Sequence, residues 1–311
     1  MTWRDRHSDP RTTGGKDCNL RPGHFAGFVE AGEAGGDFAE GVEREVGGAG
    51  AADFVAEALE SFRTAIKIDP NYPWAHLGLA YTLRELGQDE EALEHYRQYL
   101  VNGPTTPDVV EIMRSALIRQ GRGEQVRLEW KKDLELDPPD HDAWFGYAEL
   151  CLFLENESEY QIARQDLIRR FGETKSQYIA EKTARAILLA PPSEDELQTA
   201  INLVDVTVAA KGKTQAWIYR YSLFAQGLAE YRQGHFETAI TILEGEAAKV
   251  LGPCPRLVIA MAQYRLGDSQ KARETLDAAL GMANWDLSPV HGHDQWIAHI
   301  LRREAEATIG P

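Results

Sequence analysis

The 311-residue sequence predicts an all-α fold, a right-handed α-α superhelix built from tandem helix-turn-helix hairpins. A fixed period is the first reason. Pro70, Pro104 and Pro138 stand 34 residues apart, as do Gly87 and Gly121, Ala58 and Ala92, Phe62 and Tyr96, and Ala65 and Tyr99. Self-similarity at such a period is the mark of stacked supersecondary units. The second reason is helical spacing inside one period, where Leu79, Ala80 and Leu83 form one apolar stripe and Ala92, Tyr96 and Tyr99 a second. The third is punctuation: Gly87 can take the left-handed conformation that ends a helix, and Pro104 cannot donate a helical hydrogen bond.

The elements follow in chain order. Residues 1–52 are rich in glycine, a poor helix former, and read as a poorly ordered segment. They stand where the first helix of the first repeat belongs, so they are either a flexible lead-in or a start codon set within a longer or differently framed gene. Residues 53–140 hold the regular repeats: the end of one at 61–72, a full one at 73–106 and a weaker one at 107–140 that keeps Gly121 and Pro138. The centre, 141–214, leaves the period but keeps helix starts. Ser158 with Gln161, Thr174 with Gln177, and Ser193 with Glu196 each fit a capping box, so two or three divergent hairpins are expected. Over 215–289 the pattern returns, with Gly234 and Gly267, and Ala239 and Ala272, 33 apart. In 290–311, Trp296, Ile297, Ile300, Leu301 and Ala305 share one face, as a helix capping the last repeat requires.

Composition narrows the function. A formal charge of −16 opposes binding to phosphate backbones or anionic lipid. Cys18, Cys151 and Cys254 are few, distant and odd in number, which fits a reducing compartment. No apolar run reaches the roughly 18–20 residues of a membrane span, and no secretory h-region follows the first charges. A cytoplasmic chain is expected.

The 34-residue period with its small, large, Gly and Pro positions resembles the tetratricopeptide repeat. The words "HDAWFGYAELCLFL", "ARQDLIRRFGET", "EKTARAILLAPP", "FAQGLAEYRQGHFETAI" and "WIAHILRREAEA" further resemble the tetratricopeptide region downstream of bacterial, notably planctomycete, serine/threonine protein kinases. That resemblance covers 54–311 and implies a non-catalytic, regulatory or partner-binding segment. The kinase motifs themselves are missing: "GGAGAAD" lacks the third glycine of a phosphate loop, and "DFA" lacks the glycine of D-F-G.

Other candidate chemistry is weak. "TGGK" (13–16) resembles a phosphate loop, but Pro10 and Asp17 stand where Gly and Ser or Thr are required. His291, His293 and His299 could gather around a metal, although solvated helix-end histidines explain them as well. Cys151 sits between two leucines and reads as a buried thiol, while the acid pairs Glu90/Glu91 and Asp195/Glu196 suit first turns of helices. In "HDAWFGYAELCLFL", His141 and Asp142 read as a helix start and Trp144, Ala148 and Cys151 as its inward stripe. No enzyme activity, cofactor or metal is expected.

Stacked first helices would create a concave face. By register it collects Trp74, Leu77, Tyr81, Asp108, Glu111, Ser115, Phe145, Glu149, Tyr221 and Phe224. Aromatics mixed with acids suit a peptide or protein partner with apolar anchors and basic residues. The same rings would equally serve as packing between repeats. Chaperone-binding tetratricopeptide domains clamp a carboxylate with Lys, Asn and Arg; Leu77, Tyr81, Glu111 and Ser115 lack that chemistry. The expectation is a protein-interaction scaffold, with a detached regulatory part of a serine/threonine kinase as the alternative.

Overall fold

The structure, a computed structural model, describes residues 51–104, 107–209, 215–286 and 292–310. These hold fourteen α-helices, one short 3-10 turn and no strand. The glycine-rich lead-in, "TGGK", Cys18 and His291 lie outside the described residues. The chain divides into two compact units, Met1–Met113 and Arg114–Pro311.

In the first unit, α1 (Ala51–Ile68), α2 (Pro73–Glu85) and α3 (Asp89–Asn102) pack in sequence, followed by the start of α4 (Pro107–Arg119). Pro73 opens α2, where its missing N–H costs nothing, and Gly87 ends the turn at φ +72°. The core gathers Ala58, Phe62, Leu79, Leu83, Ala92, Tyr96, Tyr99 and Val109. A Cβ on Gly78 would sit 2.3 Å from Phe62 Cζ, so a bare position on α2 is what lets the α1 ring in. Each such buried ring or Leu contributes about 1.5–3 kcal/mol relative to exposure.

The second unit continues with α5 (Gly123–Glu135), α6 (His141–Phe153), α7 (Glu157–Phe171), α8 (Gln177–Leu188), α9 (Glu194–Val208), α10 (Ala216–Gln233), α11 (Phe236–Leu243), α12 (Cys254–Arg265), α13 (Ser269–Leu280) and α14 (His293–Ile309). Here α6 packs on α8, α8 on α10 and α10 on α12, so the first helices of successive hairpins form one layer.

The repeat persists one hairpin further than its glycines. Gln88 N–H donates to Leu83 O, Arg122 N–H to Leu117 O, and Asn156 N–H to Cys151 O, each at 2.9 Å and each one period after the last. Gly87, Gly121 and then Glu155 hold the left-handed position of that turn, Glu155 at φ +60°. A glutamate there costs roughly 1–2 kcal/mol, and it hides the period from sequence.

The helix starts of the centre differ in part from expectation. Ser193 and Glu196 make the full capping box. Asn156, however, caps α7 by accepting from Glu159 N–H, while Ser158 only donates to the Asn156 side chain. Ser176, not Thr174, caps α8. Each time the competing side chain lies two residues from the expected one, and backbone geometry chose between them.

The terminal helix also departs from a simple cap. Helix α14 packs mainly on α12 and on α6, and touches α13 less. Its Trp296, Ile297, Ile300, Leu301 and Ala305 are all buried.

Candidate partner-binding face

In the Met1–Met113 unit the expected residues lie on α2 and α4. Trp74 sits in the first turn of α2, half-buried, with its ring 5.7 Å from that of Tyr99. Tyr81 stands two turns on, also half-buried, edge-on to Tyr96 at 5.7 Å with the Arg84 guanidinium 5.3 Å from its ring. Leu77 belongs to the core between them, and Glu111 on α4 is exposed. Asp108 lies in the first turn of α4, its side chain outside the description. Beneath this face His76 joins two elements: its Nε2 meets Pro70 O at 3.0 Å and its Nδ1 meets His95 Nδ1 at 2.9 Å. Burial and the neighbouring His76 push the His95 pKa down.

The remaining expected residues belong to the Arg114–Pro311 unit, where most of them are enclosed. Ser115, Phe145, Glu149 and Phe224 are buried, and only Tyr221 is half-buried. The reason at Phe145 and Glu149 is α14. Its His293 ring lies 5.5 Å from the Phe145 ring, and His293 Nδ1 reaches Glu149 Oε2 at 2.7 Å. Tyr221 Oη donates to Asp294 Oδ2 at 2.9 Å; burial, with that carboxylate beside it, pushes its pKa up.

Glu149 is fully buried in a helix that is apolar beyond its first turn, so its charge demands company. Arg185 of α8 lies 3.7 Å from Glu149 Oε1 and donates through Nε to Glu181 at 2.7 Å. Burial opposes the guanidinium charge, but the two carboxylates outweigh it and raise the Arg185 pKa. Burial likewise raises the Glu181 pKa, with Arg185 pulling the other way. Sequence reading missed Glu181, Arg185 and His293 as one cluster. The available signal was Glu149 itself, a lone carboxylate amid Trp, Phe, Tyr and Leu.

The remaining candidates behave as structure. His141 is buried, its Nε2 paired with Thr183 Oγ1 at 3.0 Å, and Asp140 caps α6 by accepting from Asp142 N–H. Trp144, Ala148 and Cys151 are buried as the inward stripe requires, and burial pushes the Cys151 thiol up to about 12, far from a reactive thiolate. His299 faces the rings of Phe153 and Trp285. Among the described residues no group of three or more His, Cys, Asp or Glu side chains could hold a metal ion. No described helix is long and apolar enough to cross a membrane.

Family models described as tetratricopeptide repeat match residues 53–115 and 224–289, so the chain carries such repeats at both places. A tetratricopeptide repeat protein from Parabacteroides merdae superposes with a TM-score of 0.52 at 12% identity, over 89% of this chain and 99% of that one. The APC/C hetero-tetramer Cut9-Hcn1 gives 0.51 at 14% identity over 93% of this chain, which spans about half (49%) of the matched one. These likenesses establish the fold. No curated protein matches, and the likeness to kinase-associated repeats rests on the quoted sequence words alone.

Proposed function

We propose that the chain is a non-catalytic protein-interaction scaffold whose partner docks on the α2–α4 face of the Met1–Met113 unit. The partner is a peptide or protein segment with apolar anchors and basic residues. Trp74 and Tyr81 supply ring surface, Leu77 the floor between them, and the exposed Glu111 of α4 negative charge.

One observation supports this reading above the rest. Trp74 and Tyr81 remain half-exposed on α2 and Glu111 exposed on α4, whereas the corresponding face of the other unit is filled by α14. Rings already held against Tyr99 and Tyr96 lose little freedom on binding, which keeps the entropic cost of capture low.

Selection of displayed peptides on the full chain tests it. Recovered sequences are expected to pair aromatic or aliphatic residues with Lys or Arg. Their binding should fall at least tenfold with Trp74→Ala plus Tyr81→Ala, and also with Glu111→Lys, while cooperative melting persists. Peptides that bind all three proteins alike would sink the proposal. Incubation with ATP and magnesium should give no phosphotransfer.

A further inference from the structure

We propose that the inner face of the Arg114–Pro311 unit, on α6, α8, α10 and α12, is a second, helix-binding groove in which α14 is an exchangeable resident. The occupant that displaces it is a partner's amphipathic helix with an aromatic and aliphatic stripe and a basic residue in its first turn. This goes beyond the α2–α4 reading, since it concerns another unit and adds control by the chain itself.

Helix α14 sits as a helical ligand sits in a groove, with apolar anchors on one face and polar contacts at the edges. Trp296 stacks on Phe153 with ring centroids 5.9 Å apart, and Ile297, Ile300 and Leu301 continue the stripe. Arg303 donates to the carbonyls of Leu152 and Phe153 at 2.8 and 3.1 Å, at the C-terminal end of α6. Arg232 Nη2 donates to Glu304 at 2.8 Å, and Tyr221 holds Asp294.

The fit is incomplete where a groove should be most exacting. Glu149 Oε1 and Arg185 Nη1 are buried with no hydrogen bond among the described residues and face each other only as a loose ion pair at 3.7 Å. A buried charge pair at that separation recovers less of its lost hydration than a hydrogen-bonded one, so a helix that also donates to Glu149 Oε1 has an advantage over α14. Charge points the same way. Two buried carboxylates, Glu149 and Glu181, share the one guanidinium of Arg185, and α14 offers Glu149 only the imidazole of His293. A Lys or Arg at that place supplies the missing permanent positive charge.

The test uses the full chain and a labelled synthetic peptide of residues 293–309. In hydrogen exchange of the unaltered chain, α14 amides should exchange at least tenfold faster than those of α6; equal rates, set by global unfolding, overturn the proposal. Arg303→Ala with Glu304→Ala weakens the resident helix and should raise affinity for the peptide at least tenfold. A peptide carrying His293→Lys should bind more tightly still, and one carrying His293→Glu at least tenfold less. The proposal fails if the variant melts cooperatively yet takes up no peptide, or if it loses cooperative melting because α14 is core. A concentration-dependent dimer dissolved by the peptide would assign the groove to a second copy and overturn the foreign partner.

Discussion

Helices α2 and α6 occupy the same place in their hairpins, two periods apart, and they end in different surroundings. Gly78 and Gly146 share a register position, as do Phe62 and Trp130 in the helices before them. At both places the glycine admits the earlier ring: an added Cβ would meet Phe62 at 2.3 Å on α2 and Trp130 at 2.7 Å on α6. On α6 it would also meet His293 Cε1 at 2.6 Å. The second contact is the difference. Helix α2 keeps half-exposed rings, while α6 buries ten of its thirteen residues, Phe145, Gly146, Glu149 and Phe153 among them against α14. Identical repeat geometry thus makes a display surface in one unit and a core helix in the other.

The largest test of this contrast is Trp296→Ala, expected to cost about 3–5 kcal/mol in urea unfolding, as removal of a buried large ring does. Trp74→Ala, which removes a half-buried ring, should cost about 1 kcal/mol. Equal losses would break the comparison and make the α2 face core.

A smaller effect separates the glycines. Overpacking by one methyl group costs about 1–3 kcal/mol, offset by the roughly 1 kcal/mol that Ala gains over Gly in a helix. Gly146→Ala, hemmed by two rings, should lose about 2 kcal/mol net and Gly78→Ala about 1 kcal/mol. Adding Phe62→Leu should restore the second variant, whereas Trp130→Leu alone should only half restore the first because His293 remains. Thermal melts of the four proteins decide it.

The smallest effect concerns Asp142, which stands at the register position of Trp74. Its partial burial opposes ionisation, but hydrogen bonds from His141, Lys182 and Tyr178 outweigh that and hold its pKa well below the usual carboxylate range. A depressed carboxylate stabilises the fold above its unfolded pKa and loses that contribution as pH falls below about 4. Since Asp142 is 46% exposed, the contribution is discounted to roughly 0.5–1 kcal/mol. Asp142→Asn should therefore lower stability at pH 7 and flatten the acid limb, read from urea midpoints at pH 7, 4 and 3.

What could be read beforehand depended on distance along the chain. The turn at Gly87 and its copy at Gly121 were legible because a left-handed residue announces itself as glycine. The third copy, at Glu155, was not, since packing imposed the conformation on an unfavourable residue. Ser193 was legible as a cap. Asn156 and Ser176 were missed because two candidate caps lay within one turn, and only the entry angle of the chain selects between them. Of the expected binding face, the α2 part keeps its exposure, while Phe145 and Glu149 meet a helix more than 140 residues away.

The sequence by itself determined the hairpins and their 34-residue register, because both arise between residues within about one period. It also determined the amphipathic stripe of α14. Tertiary structure alone decided where that stripe lies. The contacts of Arg303 with Leu152 and Phe153 join residues about 150 apart, and no periodicity encodes such a pairing. The enclosure of Phe145 and Glu149 follows from that placement, while Glu149 meets Arg185 through the packing of α6 on α8.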